Sequence, residues 1–280
     1  MTFGVSPQYM ISLFGEAFTA DQQAESLSGI AELGFSAFQP ELFHPEHLDG
    51  WVDGGAAAVA EAARRSGVAA SQLVGHFLLH GFKDAPSLYS DWGIEEASRF
   101  ATTASQFDGC TVVTLPLPAF AWGEEERPAA LRARLVEKLA AVAEAVGEAG
   151  SRLALEIMPF SLVIGSGALP ELLRRLPGGV GHNFDTGPAW ARKERVELIP
   201  QLLDGNILGT HLCDNESHEN RSEPPGRGSI PWEPTLRALL EAGYGGSFDL
   251  EIRTSPEDVE SDYREGLQLL QSYLYQLVGE

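Results

Sequence analysis

Eight short apolar, β-rich runs recur along this chain, and a longer helical pattern follows each one. That alternation restricts the fold more than any other feature. The runs are residues 3–6, 35–40, 69–74, 111–115, 153–157, 180–184, 207–212 and 247–252. Their starts lie 27 to 42 residues apart, the size of a strand–helix unit. Strands that alternate with helices imply a parallel sheet with the helices packed outside it. The helical segments carry their own signals. Residues 21–33 place Ala24, Leu27, Ile30 and Leu33 on one stripe, and Thr19 with Gln22 fits a capping box. Residues 125–147 repeat Leu131, Leu135, Leu139, Val142 and Val146 at helical spacing, with Pro128 in the first turn, where proline is tolerated. Residues 232–242 stop at Gly243, which suits a position just past a helix end. The last helix is expected to open at Ser255 and Pro256 as cap and first residue.

Eight such units predict an α/β chain closed as a (β/α)8 TIM barrel, one domain over residues 1–280. An open doubly wound sheet usually carries a glycine-rich phosphate turn after its first strand. Here that strand runs into Ser6-Pro7-Gln8-Tyr9 instead. The longest irregular loops are expected at 75–89 and 214–231. Apolar residues make up 44% of the chain, enough for a sizeable core. The net charge of −21 repels phosphate backbones and acidic lipids, which argues against nucleic acid or a membrane as partner. No run is long enough to span a bilayer, and the first residues lack the basic and apolar parts of a signal peptide. The two cysteines, Cys110 and Cys213, form no CxxC pair and suit a reducing compartment, so a cytoplasmic location is expected.

In a barrel the chemistry sits at the carboxyl ends of the strands. Four consecutive runs carry a ligand-type residue there: Glu156, Asp185, His211 and Glu251. A single buried acid has ordinary explanations, such as capping a helix or pairing with arginine. Four on adjacent strands, about 4.8 Å apart, converge on one small volume. Carboxylates crowded together repel and call for a cation. Three oxygen donors and one imidazole suit a fairly hard divalent ion: Mn²⁺ first, with Mg²⁺, Co²⁺ or Zn²⁺ as alternatives.

This quartet resembles the Glu/Asp/His/Glu metal set of the xylose isomerase-like TIM barrels. More closely, the chain resembles their sugar phosphate isomerase/epimerase group, which includes ketose 3-epimerases and inositol-pathway isomerases and dehydratases. The gaps of 29, 26 and 40 residues match that layout, as does the turn Pro225-Gly226-Arg227-Gly228 before Ile230-Pro231-Trp232. The resemblance implies one divalent metal held by all four residues and a small sugar or polyol as substrate. It also implies that Glu156 and Glu251 flank the substrate, one taking a proton beside a carbonyl and the other returning it. Return to the same carbon epimerises, return to the neighbouring carbon isomerises, and loss of hydroxide makes a lyase acting on an inosose or a 3-keto-sugar. The residues are compatible with each outcome. The resemblance also admits a homo-oligomer.

Two positions depart from the pattern. Pro188 stands where many of these epimerases carry a histidine that touches substrate, and Cys213 stands where a lysine is common. Beyond the quartet, His76, Glu41 and Arg227 are candidate substrate-binding residues, with His80, His44, His218 and Arg221 less central. Trp122, Trp190 and Trp232 can either wall a sugar site or pack. Asp214 is expected to orient a ligand, and His182 to face away from the barrel interior by strand alternation. A sugar-binding barrel without catalysis is the reading of another class. The abasic-site endonucleases of this fold need a histidine-rich three-zinc site, which seven histidines and a charge of −21 disfavour.

Overall fold

The computed structural model of the chain describes residues 1–123, 127–216 and 219–279. Its strands are β1 (Thr2–Val5), β2 (Ala37–Phe38), β3 in two pieces (Ala69–Ala70 and Leu73–Val74), β4 (Val112–Leu117), β5 (Arg152–Ile157), β6 (Gly181–Asp185), β7 (Ile207–His211) and β8 (Ser247–Leu250). All pairings between them are parallel. The first piece of β3 pairs with β2, β2 with β1, and β1 with β8. The second piece pairs with β4, and the order continues through β5 and β6 to β7. Single bridges from Glu41 to Val74 and from Leu212 to Leu250 join these two arcs into a closed cylinder.

Among the described residues, eight helices form the outer layer: α1 (Ala20–Glu32), α2 (Ala56–Ser66), α3 (Ile94–Thr102), α4 (Pro128–Glu148), α5 (Leu169–Arg174), α6 (Ile199–Leu202), α7 (Trp232–Glu241) and α8 (Val259–Gly279). Thr19 and Gln22 exchange both bonds of the capping box, so α1 starts where the sequence signals it. Leu131, Leu135, Leu139, Val142 and Val146 are all buried along α4, which begins at Pro128. The predicted start at Glu125 falls outside the described residues. The turn at Ser255–Asp258 delays α8 by three residues: Asp258 N–H donates to the Ser255 carbonyl before the helix begins at Val259. The loop predicted at 75–89 contains a 3-10 turn (His76–Gly81) and a short helix (Ala85–Tyr89). The buried ammonium of Lys138 on α4 donates to the carbonyls of Gly81 (2.9 Å) and Ser87 (2.7 Å) and pins that segment down. No helix among the described residues is long and apolar enough to cross a membrane.

The apolar core lies between sheet and helices, with Leu27, Ile30, Val59, Phe100, Leu139 and Leu236 fully enclosed there. The inside of the barrel is different. Gln39, Gln72, Thr114, Asn183 and Asp249 fill it, all buried. Barrel interiors are usually packed with branched apolar residues, so a polar interior must satisfy its own hydrogen bonds. Glycines make room for it. A Cβ on Gly4 would overlap Asp249 Oδ1, and one on Gly209 would overlap Gln72 and Asn183.

Candidate metal centre

Alternation along β6 turns Asn183 and Asp185 inward and His182 outward. The imidazole of His182 lies 2.7 Å from the Leu155 carbonyl, and burial pushes its pKa down to about 4. Parallel register does the same for Glu156 at the end of β5 and His211 at the end of β7. Glu251 comes immediately after β8, because that strand ends at Leu250, two residues before its predicted end. One ligand atom from each of Glu156, Asp185, His211 and Glu251 falls within 4.8 Å of all the others, so this cluster can hold a metal ion. The His211 Nδ1 atom lies 2.6 Å from Glu251 Oε2 and 3.4 Å from Glu156 Oε2. Both Nδ1 and Glu251 Oε2 are buried, and their contact is satisfied only while the imidazole carries a proton on Nδ1. Unpaired buried donors and acceptors are costly, and a cation shared between these atoms satisfies both.

The electrostatics point the same way. Burial raises the Asp185 carboxyl well above the usual range, and the charges of Glu251 and Glu156 raise it further. Burial alone would also raise Glu156. The charge and hydrogen bond of His211, with the Asn183 amide donating at 3.2 Å, hold it below the ordinary value instead. Burial opposes protonation of His211, but Glu156 and Glu251 overcome that and hold its pKa well above 6.5. Without an ion, a proton on the imidazole partly balances the crowded acids. A divalent cation does so more completely.

Glu156, His211 and Glu251 form one wall of a cavity of about 620 Å³ at the carboxyl ends of the strands. Glu41 and His76 also line it, their side chains 3.3 Å apart. The His76 ring lies flat on Phe43, centroids 4.0 Å apart. Burial raises the pKa of Glu41, and Glu41 in turn raises that of His76 against the effect of burial. Two of the three predicted substrate residues therefore reach the pocket, and Arg227 does not. Its guanidinium bonds Asp262 (2.7 Å) and Glu265 (2.5 Å) on α8, because the turn at Gly226 carries it outward over that helix.

Other sequence candidates also sit elsewhere. Arg221 pairs with Glu219, and His80 packs edge-on to Trp92. His44 packs between Phe43 and His47, and His218 lies outside the described residues. Trp122 is half exposed beside Phe120, and Trp190 packs on the core. Among the described residues, Asp214 has no hydrogen bond to a member of the quartet. It accepts from the backbone of Asn215, Gly226 and Ile230 and from Trp232 Nε1, and so folds the long loop around itself. Cys213 is buried with its sulfur 4.0 Å from Asp185 Oδ1, and Pro188 is buried in the short helix Thr186–Ala191.

Sequence reasoning missed Gln8, Ser12 and Glu16, Phe43, Met158, and the pair Arg253 and Thr254, all of which line the pocket. The i, i+4 spacing of Gln8 and Ser12 was the one available signal. These two bond at 3.3 Å on the helix Gln8–Phe14 that comes after β1.

Residues 27–273 match the xylose isomerase-like TIM barrel family, and the chain belongs to that family. Over 148 residues it is 27% identical to MJ1311, an uncharacterized protein of Methanocaldococcus jannaschii. The match takes in 51% of this chain and 48% of that one, so it spans about half the length of this curated relative. A D-psicose 3-epimerase of Clostridium cellulolyticum H10, solved with D-tagatose, shares the fold with a TM-score of 0.78. The likeness covers 98% of this chain and 99% of that one at 15% identity. IOLI, solved with a binding zinc atom, gives a TM-score of 0.73 over 99% and 98% of the two chains at 18% identity.

Proposed function

We propose that this chain is a divalent-metal-dependent epimerase or isomerase of a keto-sugar or polyol, working by proton abstraction beside a carbonyl. The convergence of Glu156, Asp185, His211 and Glu251 on one small volume carries this reading. The donor set of three carboxylates and one imidazole favours Mn²⁺, with Mg²⁺, Co²⁺ and Zn²⁺ as alternatives. Bound there, the ion supplies Lewis acidity to a carbonyl oxygen and its neighbouring hydroxyl, worth several kcal/mol.

The chain's own residues handle the proton. Glu156, held ionised by His211 and Asn183, is a base ready at neutral pH. Glu251 flanks the same volume and serves as its counterpart. Different carboxylates taking and returning the proton invert a carbon, while one carboxylate returning it to the next carbon isomerises. Glu41 and His76 are placed to hold substrate hydroxyls, and the stacked Phe43 keeps the imidazole in place. The D-psicose 3-epimerase that shares this fold acts as precedent for the substrate class. The buried free cysteines Cys110 and Cys213 fit a reducing, cytoplasmic setting.

One observation favours a lyase as the second reading. The Glu41–His76 pair raises the imidazole pKa inside the pocket, which provides an acid for a departing hydroxyl of an inosose or 3-keto-sugar.

The deciding experiment is metal content per chain by elemental analysis, after reconstitution in mixed Mn²⁺, Mg²⁺, Co²⁺ and Zn²⁺ and desalting. About one equivalent is expected. Ketoses, inososes and keto-glycosides are then screened in D₂O. Deuterium at carbon without loss of water supports the epimerase, and loss of water supports the lyase. Three zinc ions would move the chemistry to phosphoester hydrolysis, and no retained metal would leave only a weak site or a sugar-binding barrel.

A further inference from the structure

The polar interior of the barrel holds two chains of hydrogen-bonded amides, and each ends on a member of the quartet. The first runs from His211. Its Nε2 lies 2.8 Å from Gln39 Oε1. The Gln39 amide nitrogen donates to Asp249 Oδ2 at 2.7 Å and to the Thr210 carbonyl at 3.4 Å. Asp249 also accepts from the Ser71 hydroxyl (2.8 Å) and the Ser247 hydroxyl (2.5 Å). The second chain runs from Glu156 to Asn183, then to Gln72 (2.9 Å), then to the Thr114 hydroxyl (2.7 Å).

The two chains differ in what sets their direction. A carbonyl oxygen can only accept, and a carboxylate receiving several donors does the same. Asp249 and Thr210 therefore force the Gln39 nitrogen toward themselves and its oxygen toward His211. An oxygen facing His211 requires a proton on Nε2, so the neutral, metal-binding form of the ring has its lone pair on Nδ1. That is the atom facing the carboxylates, 2.6 Å from Glu251 Oε2 and 3.4 Å from Glu156 Oε2. The second chain has no such outer anchor, because the Thr114 hydroxyl can turn either way. Its direction comes from Glu156 itself.

We infer that Gln39, oriented by Asp249, is a positioning residue that fixes the His211 tautomer and so makes Nδ1 the metal-facing atom. Histidine ligands depend on such partners for ring orientation and tautomer. The geometry is built for the purpose. Gln39 and Asp249 are both about 1% exposed, and Gly4 is bare where a Cβ would collide with the Asp249 carboxylate. The inference rests on the proposed metal site, and it names a residue far from substrate that controls affinity for the ion.

The test is zinc affinity of the full chain by chelator competition, for the parent, Gln39→Met and Asp249→Asn. Both substitutions keep side-chain size close to the original. Each should weaken zinc binding roughly 10- to 100-fold, the usual range for losing the partner of a ligand. Binding within about twofold of the parent in both variants overturns the inference. If Gln39→Met does not fold, Asp249→Asn decides, together with a measurement on the parent alone. Long-range proton–nitrogen NMR of the zinc-loaded ¹⁵N protein, with His211 assigned by its absence in His211→Gln, should show a protonated Nε2 and a zinc-bound Nδ1. The opposite tautomer overturns the inference without any variant. A parent that binds no zinc sinks the metal reading and this inference with it, while a parent that binds and variants that bind equally sink only the inference.

Discussion

The two halves of the barrel contribute to one pocket in different ways. From β5 to β8, each strand delivers a ligand-type side chain at or just past its carboxyl end: Glu156, Asp185, His211 and Glu251. In the first half, β2 and β3 are short or broken, and the polar lining comes from the connecting segments beyond the strand ends. Gln8 and Ser12 sit on a short helix, Glu41 and Phe43 on an irregular segment, and His76 at the start of a 3-10 turn. Strand register holds the first group, and clamps from elsewhere hold the second. The Gln23 side chain bonds both the N–H and the carbonyl of Glu41, at 3.1 and 3.0 Å, and Lys138 ties the segment after His76 to α4. A charged cluster needs fixed distances, and regular strands provide them. A substrate wall can be built on connections, which vary more easily without disturbing the cluster.

The contrast between the two halves predicts where substitutions hurt. Glu251→Gln, on the strand-borne side, should lower turnover of the metal-loaded protein by about 10² to 10⁴, the usual contribution of a general acid or base. A turnover near the parent's removes Glu251 from proton transfer.

His182 shares β6 with Asp185 but faces outward, so its replacement should change stability and spare the site. Its pKa is about 4 in the folded chain against 6.5 for the free group. Below pH 6.5 the unfolded state takes up a proton that the folded state refuses until about pH 4. This group's contribution therefore falls as the pH drops through that window, by about 3 kcal/mol in all. Urea unfolding of His182→Gln at pH 7 and pH 4.5 should lack this increment. An equal loss in parent and variant would mean the histidine is already charged in the fold.

On the loop-borne side, the proposed substrate role of His76 predicts that His76→Asn raises KM by about 10-fold while metal affinity stays within about twofold. A matching loss of metal would merge the two walls into one unit. The smallest effect is expected for Arg227→Ala. Its two carboxylate partners lie on α8 and its side chain is 44% exposed, so stability should change by no more than about 1 kcal/mol, with kcat/KM unaltered. A clear fall in kcat/KM would return Arg227 to the substrate site.

The same contrast explains what the sequence made legible. The quartet could be read because each member sits on a strand or one residue past its end, where a period of two and a carboxyl-end position fix its direction. Asn183 and Asp185 turn inward and His182 outward as that period requires. Gln8, Arg253 and Phe43 left no comparable mark, because nothing periodic in a short connection states which way a side chain points. Arg227 shows the same weakness from the other side. A basic residue in a long loop suggested a substrate contact, and only the packing of the Pro225–Gly226 turn against α8 sends it away.

The amino-acid sequence by itself determined the alternation of eight strands and their helices, the capping of α1, the apolar stripe of α4 and the four ligand-type residues on consecutive strands. All of these are local patterns, set by helix and strand periods over a few turns. Closure of the cylinder decided the rest: the cavity, the Glu41–His76 contact, the polar interior and the orientation of His211. Gln39 meets His211 across 172 residues and Asp249 across 210. Contacts at that separation exist only once every strand has found its register, and no local pattern encodes them.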